Sequence, residues 1–318
     1  MRVAVILPCL DEEAAIADVI AGFEASLPTA KFYVIDNGSS DGTARIAKAA
    51  GAEVIAETMR GKGNAVRRAL TAIDADIYLI ADGDGTYDAS RAPELIAALE
   101  NEHLDMVVGV RRKAAKEAYR PGHEWGNRLF NRAIKAFFGS ECRDVFSGYR
   151  VLSNRYVKSF PALSRGFEIE TEMTVHAILL RMPVKEIDCD YGKRGEGSES
   201  KLNTYLDGLR IMRTIFNLLR HYRPLYFFTV LAGVLLAASG ALFYPVFVEY
   251  LSSGLVPRFP TLIVSIGLAT MSAMLLICGL ILDTTTRTQL EIRRLIYLGV
   301  PRLTAVRPLA VGRGRAAA

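Results

Sequence analysis

Ile77-Tyr78-Leu79-Ile80-Ala81-Asp82-Gly83-Asp84 is the stretch on which the fold turns. Its five apolar residues read as the end of a buried strand over Asp76 to Ala81, and the two acids fall on the turn beyond it. Hard divalent cations take oxygen ligands, and Mg²⁺ is commonly held by one or two carboxylates completed by substrate phosphates. Gly83 lets the backbone approach a ligand closely. An isolated Asp-x-Asp triplet is ordinarily a surface turn. Its place after an apolar strand, in a chain with other acids at strand ends, points to metal binding.

Working outward, short strands alternate with helices. Arg2 to Leu7, Lys31 to Ile35, Glu53 to Ala56 and Asp105 to Gly109 read as further strands. Asp11 to Ser26, Asp41 to Ala50, Gly63 to Ile73 and Ala92 to Asn101 read as helices. This alternation predicts an α/β fold, a mostly parallel sheet covered on both faces, with ligands beyond the carboxyl ends of the strands. Asp36 closes the second strand as Asp82 and Asp84 close the fourth, so all three would open into one crevice. In Asp36-Asn37-Gly38-Ser39-Ser40-Asp41-Gly42-Thr43, turn and cap chemistry explains Ser39 to Thr43, while Asp36 is a candidate for a base or ribose. Gly61-Lys62-Gly63 precedes a helix, where free amides and one ammonium would face an anion.

Beyond Arg111 the pattern loosens. Gly126 to Phe138 predicts an amphipathic helix with Arg128, Arg132 and Lys135 on its polar face, and Phe167 to Arg181 a further helix before a strand at Val184 to Tyr191. Two uncharged apolar runs follow, Leu225 to Val248 and Thr261 to Leu282. As helices each would reach roughly 33–36 Å, enough for a hydrocarbon core of about 30 Å. Arg210, Arg213, Arg220 and Arg223 precede the first run, and Arg287, Arg293, Arg294 and Arg302 follow the second. That distribution places both ends in the cytoplasm, in an inner or plasma membrane. The expected organisation is a catalytic domain over 1–202, a juxtamembrane amphipathic helix over 203–223, two spans within 224–283 (225–248 and 261–282) and a basic cytoplasmic tail over 284–318. The net charge of +5 fits attraction to anionic lipid, and without a basic stripe interleaved with aromatics no nucleic-acid partner is expected. The start of the chain is not expected to be a signal peptide. Cys9, Cys142, Cys189 and Cys278 have no metal-type spacing and read as small apolar residues in a reducing compartment.

Taken in order, Pro8-Cys9-Leu10-Asp11-Glu12-Glu13, the Asp36 turn, Arg60-Gly61-Lys62-Gly63 and Asp82-Gly83-Asp84 resemble the family-2 glycosyltransferases of the GT-A (Rossmann-like) fold. Asp144-Val145-Phe146-Ser147-Gly148-Tyr149-Arg150, Phe167-Glu168-Ile169-Glu170-Thr171-Glu172 and Ser198-Glu199-Ser200-Lys201 narrow the likeness. It becomes that of the polyprenyl-phosphate sugar transferases, which include dolichyl-phosphate mannose synthase and bacterial undecaprenyl-phosphate glucosyltransferases. The resemblance covers residues 1–223 by motif, and the paired spans match the group's anchored members.

The resemblance implies roles. Pro8, Leu10, Glu12, Asp36, Lys62 and Arg111 would bind the nucleotide-sugar, and Asp82 and Asp84 would hold Mg²⁺ or Mn²⁺ against its diphosphate. Arg111, Arg128 and Arg132 would lie near the phosphates, and Ser147, Arg150, Arg194 and Lys201 at the acceptor, with Asp82, Asp84, Arg128, Arg132 and Arg194 as the catalytic candidates. Asn37, where many members have Asp, and Gly85-Thr86-Tyr87, where mannosyl and glucosyl members often have Leu-Gln, turn the expectation towards a UDP-sugar, UDP-N-acetylglucosamine or UDP-glucose. The implied reaction is inverting transfer to a polyprenyl phosphate, undecaprenyl or dolichyl. A phosphate monoester carries about −1.5 to −2 charges at neutral pH, so the attacking oxygen needs no catalytic base. Transfer to a glycan or lipid hydroxyl, nucleotidyl transfer and a non-catalytic nucleotide-sugar-binding membrane protein stay open as alternatives. Gly233, Gly240, Gly267, Ala269 and Ala273 would permit association into a homo-oligomer.

Overall fold

A run such as Val3-Ala4-Val5-Ile6-Leu7 has no polar face, so it suits a strand buried on both sides. In the computed structural model, which describes residues 1–113, 143–192, 213 and 216–301, that is where it lies. The chain order is β1 (Val3–Cys9), α1 (Ile16–Ser26), β2 (Lys31–Asp36), α2 (Thr43–Ala49), β3 (Glu53–Ala56), α3 (Lys62–Ala72), β4 (Ile77–Ile80), α4 (Ala92–Asn101) and β5 (Met106–Lys113). It continues with β6 (Arg150–Ser153), α5 (Asn154–Ser159), α6 (Ile169–Leu179), β7 (Val184–Tyr191), α7 (Pro224–Ser253) and α8 (Phe259–Gly299). Among the described residues seven strands form one sheet in the order β3-β2-β1-β4-β6-β5-β7, in which β6 runs against its neighbours and the other pairs are parallel.

Alternate residues of each central strand feed two cores. Ile6, Ile35, Tyr78, Ile80 and Leu152 pack on one face against α3 and α6, and Val5, Leu7, Val34, Leu79 and Val151 on the other against α1 and α4. The α/β reading holds, with two differences. β6 and α5 were not foreseen; β6 is a four-residue antiparallel insertion, too short for a periodic signal. α1 begins at Ile16 rather than Asp11, because the intervening acids join two loops. Asp11 accepts from the Ser40 amide at 2.7 Å, and Glu13 from the Gly42 amide at 2.7 Å.

Contacts divide the chain into two units, Met1–Leu202 with Arg293–Ala318, and Asn203–Ile292. In the second unit α7 and α8 are long and apolar enough to cross a membrane, and only 11% and 17% of their most apolar windows are buried, unlike core helices. They pair through a seam of residues seven apart. Ser239 Oγ donates to the Ser265 carbonyl at 2.7 Å, and Ser272 Oγ to the Ala232 carbonyl at 2.8 Å. At Gly279 an added Cβ would lie 2.9 Å from Phe228 Cβ, so the helices touch there. Small residues spaced this way allow close approach. Gly233, Gly240 and Gly267, which would permit association, lie off this seam, with nothing among the described residues within 4 Å of an added Cβ. α8 does not end with the apolar run, and its last residues, from Arg293, belong to the first unit rather than to a separate tail.

Candidate active site

β4 delivers the two acids. Gly83 between them is obligatory, since an added Cβ would meet Cys9 Sγ at 2.4 Å. Asp84, 4% exposed, accepts from the Thr86 amide at 3.1 Å and from its hydroxyl at 2.6 Å. Tyr87 takes the Gly148 amide on its hydroxyl at 2.8 Å and packs on Tyr149 and Tyr191 with ring centres 5.2 and 5.3 Å away. Burial, then the Asp82 charge, holds its phenol above the ordinary tyrosine range. Gly85-Thr86-Tyr87 thus orients the acidic turn.

Asp82 is not alone at that turn. Lys62, at the start of α3, places Nζ 2.5 Å from Asp82 Oδ1 and 2.6 Å from Glu170 Oε1 in the first turn of α6. Burial by itself would lower the Lys62 pKa, yet the two carboxylates outweigh it and raise it above the ordinary value. Glu170 is pushed up by burial, against the pull of Lys62. Gly148 covers the pair: a Cβ there would sit 2.9 Å from Lys62 Nζ and 3.1 Å from each Asp82 carboxylate oxygen. The glycines flanking Lys62 do something other than expected. Cβ atoms on Gly61 and Gly63 would each lie 2.2 Å from a carbonyl, of Arg165 and Ser164 respectively, so these glycines admit a neighbouring loop. The Gly61 amide donates to Asn37 at 2.6 Å instead of facing an anion. That neighbouring loop is held by Glu172, whose carboxylate accepts the Leu163 and Ser164 amides at 3.0 and 2.7 Å.

Pro8, Leu10 and Glu12 lie at and just beyond the end of β1, and Asp36 pairs in register with Cys9 at the end of β2. All four are half-buried at the carboxyl edge of the sheet. Asp36 accepts from the Ser39 amide at 3.1 Å. Asn37 is 3% exposed, and its side-chain amide donates to the Met59 and Glu57 carbonyls at 2.8 and 3.3 Å. An Asp could not donate to either carbonyl, so Asn37 has a structural reason that says nothing about the donor.

Arg111 at the end of β5 is clasped by Asp144, with Nε to Oδ2 and Nη2 to Oδ1 both 2.7 Å, and it stacks over Tyr191 at 5.6 Å. Two expected acceptor contacts need correction. Ser147 is fully buried and donates to the Gly109 carbonyl at 2.5 Å. Arg150, the largest fully buried side chain, donates to the Ser147 and Val145 carbonyls at 2.9 and 2.8 Å. Both hold the 145–148 loop, and through Gly148 they shape the cover over Lys62 and Asp82. Arg128, Arg132, Arg194 and Lys201 lie outside the described residues. Glu170 and Asp144 had no assigned role, and each takes its place from a partner distant in sequence, Lys62 and Arg111.

The model of the family described as glycosyl transferase family 2 matches residues 4–160. Glycosyltransferase AglJ of Haloferax volcanii is 35% identical over 232 residues, covering 71% of this chain and 75% of that protein. The chain belongs to family 2 of the glycosyltransferases. A dolichyl-phosphate hexose transferase of the same organism is 26% identical, with 67% of this chain and 91% of that one aligned. Among solved structures, the glucosyl-3-phosphoglycerate synthase of Mycobacterium tuberculosis, in complex with Mn²⁺, UDP-glucose and phosphoglyceric acid, superposes with a TM-score of 0.54 at 25% identity, covering 69% of this chain and 78% of that one. The sheet is accordingly that of a GT-A glycosyltransferase using a nucleotide-sugar donor.

Proposed function

We propose that this glycosyltransferase transfers a sugar, with inversion, from a UDP-sugar to a polyprenyl phosphate at the cytoplasmic face of a membrane crossed by α7 and α8. The observation that carries this reading is the occurrence in one chain of the Asp82/Asp84 turn and a hairpin of membrane-length helices. The dolichyl-phosphate hexose transferase relative supports the lipid-phosphate acceptor, and the UDP-glucose bound to the mycobacterial synthase supports the donor.

The donor set fits a hard divalent cation: two carboxylates on one turn, with the Asp82 side chain 28% exposed. Asp82 and Asp84 would hold Mg²⁺ or Mn²⁺, which supplies charge neutralisation for the departing diphosphate. Pro8, Leu10, Glu12 and Asp36 would seat the nucleoside, while Lys62 and Arg111 bring positive charge to the diphosphate. Arg128 and Arg132 would stand near the donor phosphates, and Arg194 and Lys201 would cradle the acceptor phosphate. That phosphate arrives already charged, so no residue has to remove a proton from it.

Product formation tests the reading. Detergent-solubilised protein is given undecaprenyl phosphate, Mg²⁺ or Mn²⁺ and radiolabelled UDP- and GDP-sugars. Metal-dependent label in the lipid phase is expected with a UDP-sugar, and it disappears in Asp84→Ala and without the lipid. Label on a sugar hydroxyl but never on polyprenyl phosphate would overturn the acceptor assignment.

A further inference from the structure

Lys62 occupies a position that a metal ligand needs free. Its ammonium lies 2.5 Å from Asp82 Oδ1, so an arriving divalent cation meets a positive charge already seated on one of its two carboxylates. Gly148 closes the cover over this pair. On the other side Glu170 offers a second seat. Its Oε1 is 2.6 Å from Nζ, and its Oε2 is buried with no hydrogen-bond partner among the described residues. A buried carboxylate oxygen without a partner is costly unless some state of the molecule uses it. An ammonium with three donors can move from Asp82 onto both oxygens of Glu170 by a small rotation of a flexible side chain.

We propose that Glu170 is a positioning residue for Lys62: it draws the ammonium off Asp82 when a divalent cation and a diphosphate enter, so that cation and lysine do not compete for one carboxylate. Before binding, Lys62 neutralises Asp82. Afterwards it is paired with Glu170 and turned to the diphosphate. The inference rests on the metal and nucleotide part of the proposed function and not on the acceptor.

Mn²⁺ binding to the full-length protein in detergent, read from the electron paramagnetic resonance signal of free Mn²⁺ with and without UDP, tests it without any turnover. Glu170→Gln is expected to weaken Mn²⁺ binding in the presence of UDP by about tenfold, because Lys62 then stays on Asp82. In the Lys62→Met background the same change is expected to alter affinity by less than about twofold, since no ammonium is left to place. The Lys62→Met/Glu170→Gln pair also removes both buried charges together, so it keeps the test open if Glu170→Gln alone unfolds. Without UDP that double variant is expected to bind Mn²⁺ more tightly than the wild type. Equal weakening by Glu170→Gln in both backgrounds, no weakening in either, or looser binding by the double variant would overturn the inference. Absence of Mn²⁺ binding by the wild type with UDP would instead overturn the metal assignment beneath it.

Discussion

Asp105 and Glu170 are both buried acids paired with a cation, and they sit at opposite edges of the same sheet. Asp105 precedes β5 at the amino edge and is fully buried. Its carboxylate meets both Nε and Nη2 of Arg155, accepts from Ser153 Oγ at 2.8 Å, and accepts the Tyr297 hydroxyl at 2.7 Å. Arg155 is in turn stacked over the Tyr297 ring at 4.7 Å. Glu170 beyond the carboxyl edge shares one ammonium with Asp82 and leaves an oxygen unmatched among the described residues. Removing charge from water is repaid only when the partners are complete, so the amino-edge cluster is built for stability. The incomplete cluster is where ligands are expected. Completeness of a buried ion pair thus separates scaffold from site within one domain.

Breaking each side should give opposite signatures. Asp84→Asn is expected to lower transfer at least about a thousandfold, about 4 kcal/mol in the barrier, with little change in thermal unfolding. Asp105→Asn should do the reverse. It leaves the buried Arg155 guanidinium without a full counter-charge, which costs about 3 kcal/mol in stability, while the folded fraction keeps its turnover. A calorimetric or dye-reported melt beside the transfer assay separates the two. Loss of activity at an unchanged melting temperature in the Asp105 variant would undo the division.

How much of this was legible depends on whether a residue's role is local. The strand-helix alternation is written in runs such as Ile77 to Ala81, and Asp82-Gly83-Asp84 announces itself by following one. The placing of the acidic turn and of the strand-end acids at one edge of the sheet was therefore readable. Ser147 and Arg150 were misassigned because a polar residue in a motif looks the same whether it meets a ligand or the protein's own carbonyls. Only burial tells them apart. Glu170 and Asp105 owe their meaning to partners 108 and 50 positions away, Lys62 and Arg155, and no local pattern carries that information. Tyr297 is further still, at the end of a helix whose length was hidden by the change from apolar to mixed sequence after Leu282.

A buried titratable group with no counter-charge among the described residues sharpens the contrast. His176 is 2% exposed and faces Ser159 Oγ at 3.1 Å, the rings of Tyr156 and Phe160, and the charge of Arg293. Burial first, and Arg293 second, push its pKa down from 6.5 to about 3. The folded state therefore binds fewer protons than the unfolded state between these values. Stability is full above pH 6.5 and falls as pH drops towards 3, by about 1.4 kcal/mol per unit, or about 2 kcal/mol by pH 5. Unfolding midpoints against pH should show that slope, and His176→Gln should flatten it. An unchanged slope would place the acid sensitivity elsewhere.

Asn37 tests whether a departure from a family pattern belongs to the scaffold or to the donor. Asn37→Asp removes the donor to the Met59 and Glu57 carbonyls and puts a charge at a buried position, which is expected to cost about 2 kcal/mol. Relative rates with different nucleotide-sugars should stay in the same order. A change in donor preference at constant stability would return the residue to the site.

The smallest effect is expected from Tyr297→Phe, and it bears most directly on where the first unit ends. Tyr297 is 4% exposed although its residue number lies beyond both apolar runs, and burial followed by the hydrogen bond to Asp105 pushes its phenol up to about 12. Tyr297→Phe keeps the ring over Arg155 and removes one hydrogen bond to a charged acceptor. A loss of about 1.5 kcal/mol follows, since Arg155 and Ser153 still satisfy the carboxylate. Tyr297→Ala also deletes the ring and should cost more, about 3 kcal/mol or above. The two should be non-additive with Asp105→Asn, because all three act on one cluster. If instead both Tyr297 variants melt as the wild type does, the end of α8 contributes nothing to the catalytic unit, and that unit is complete without it.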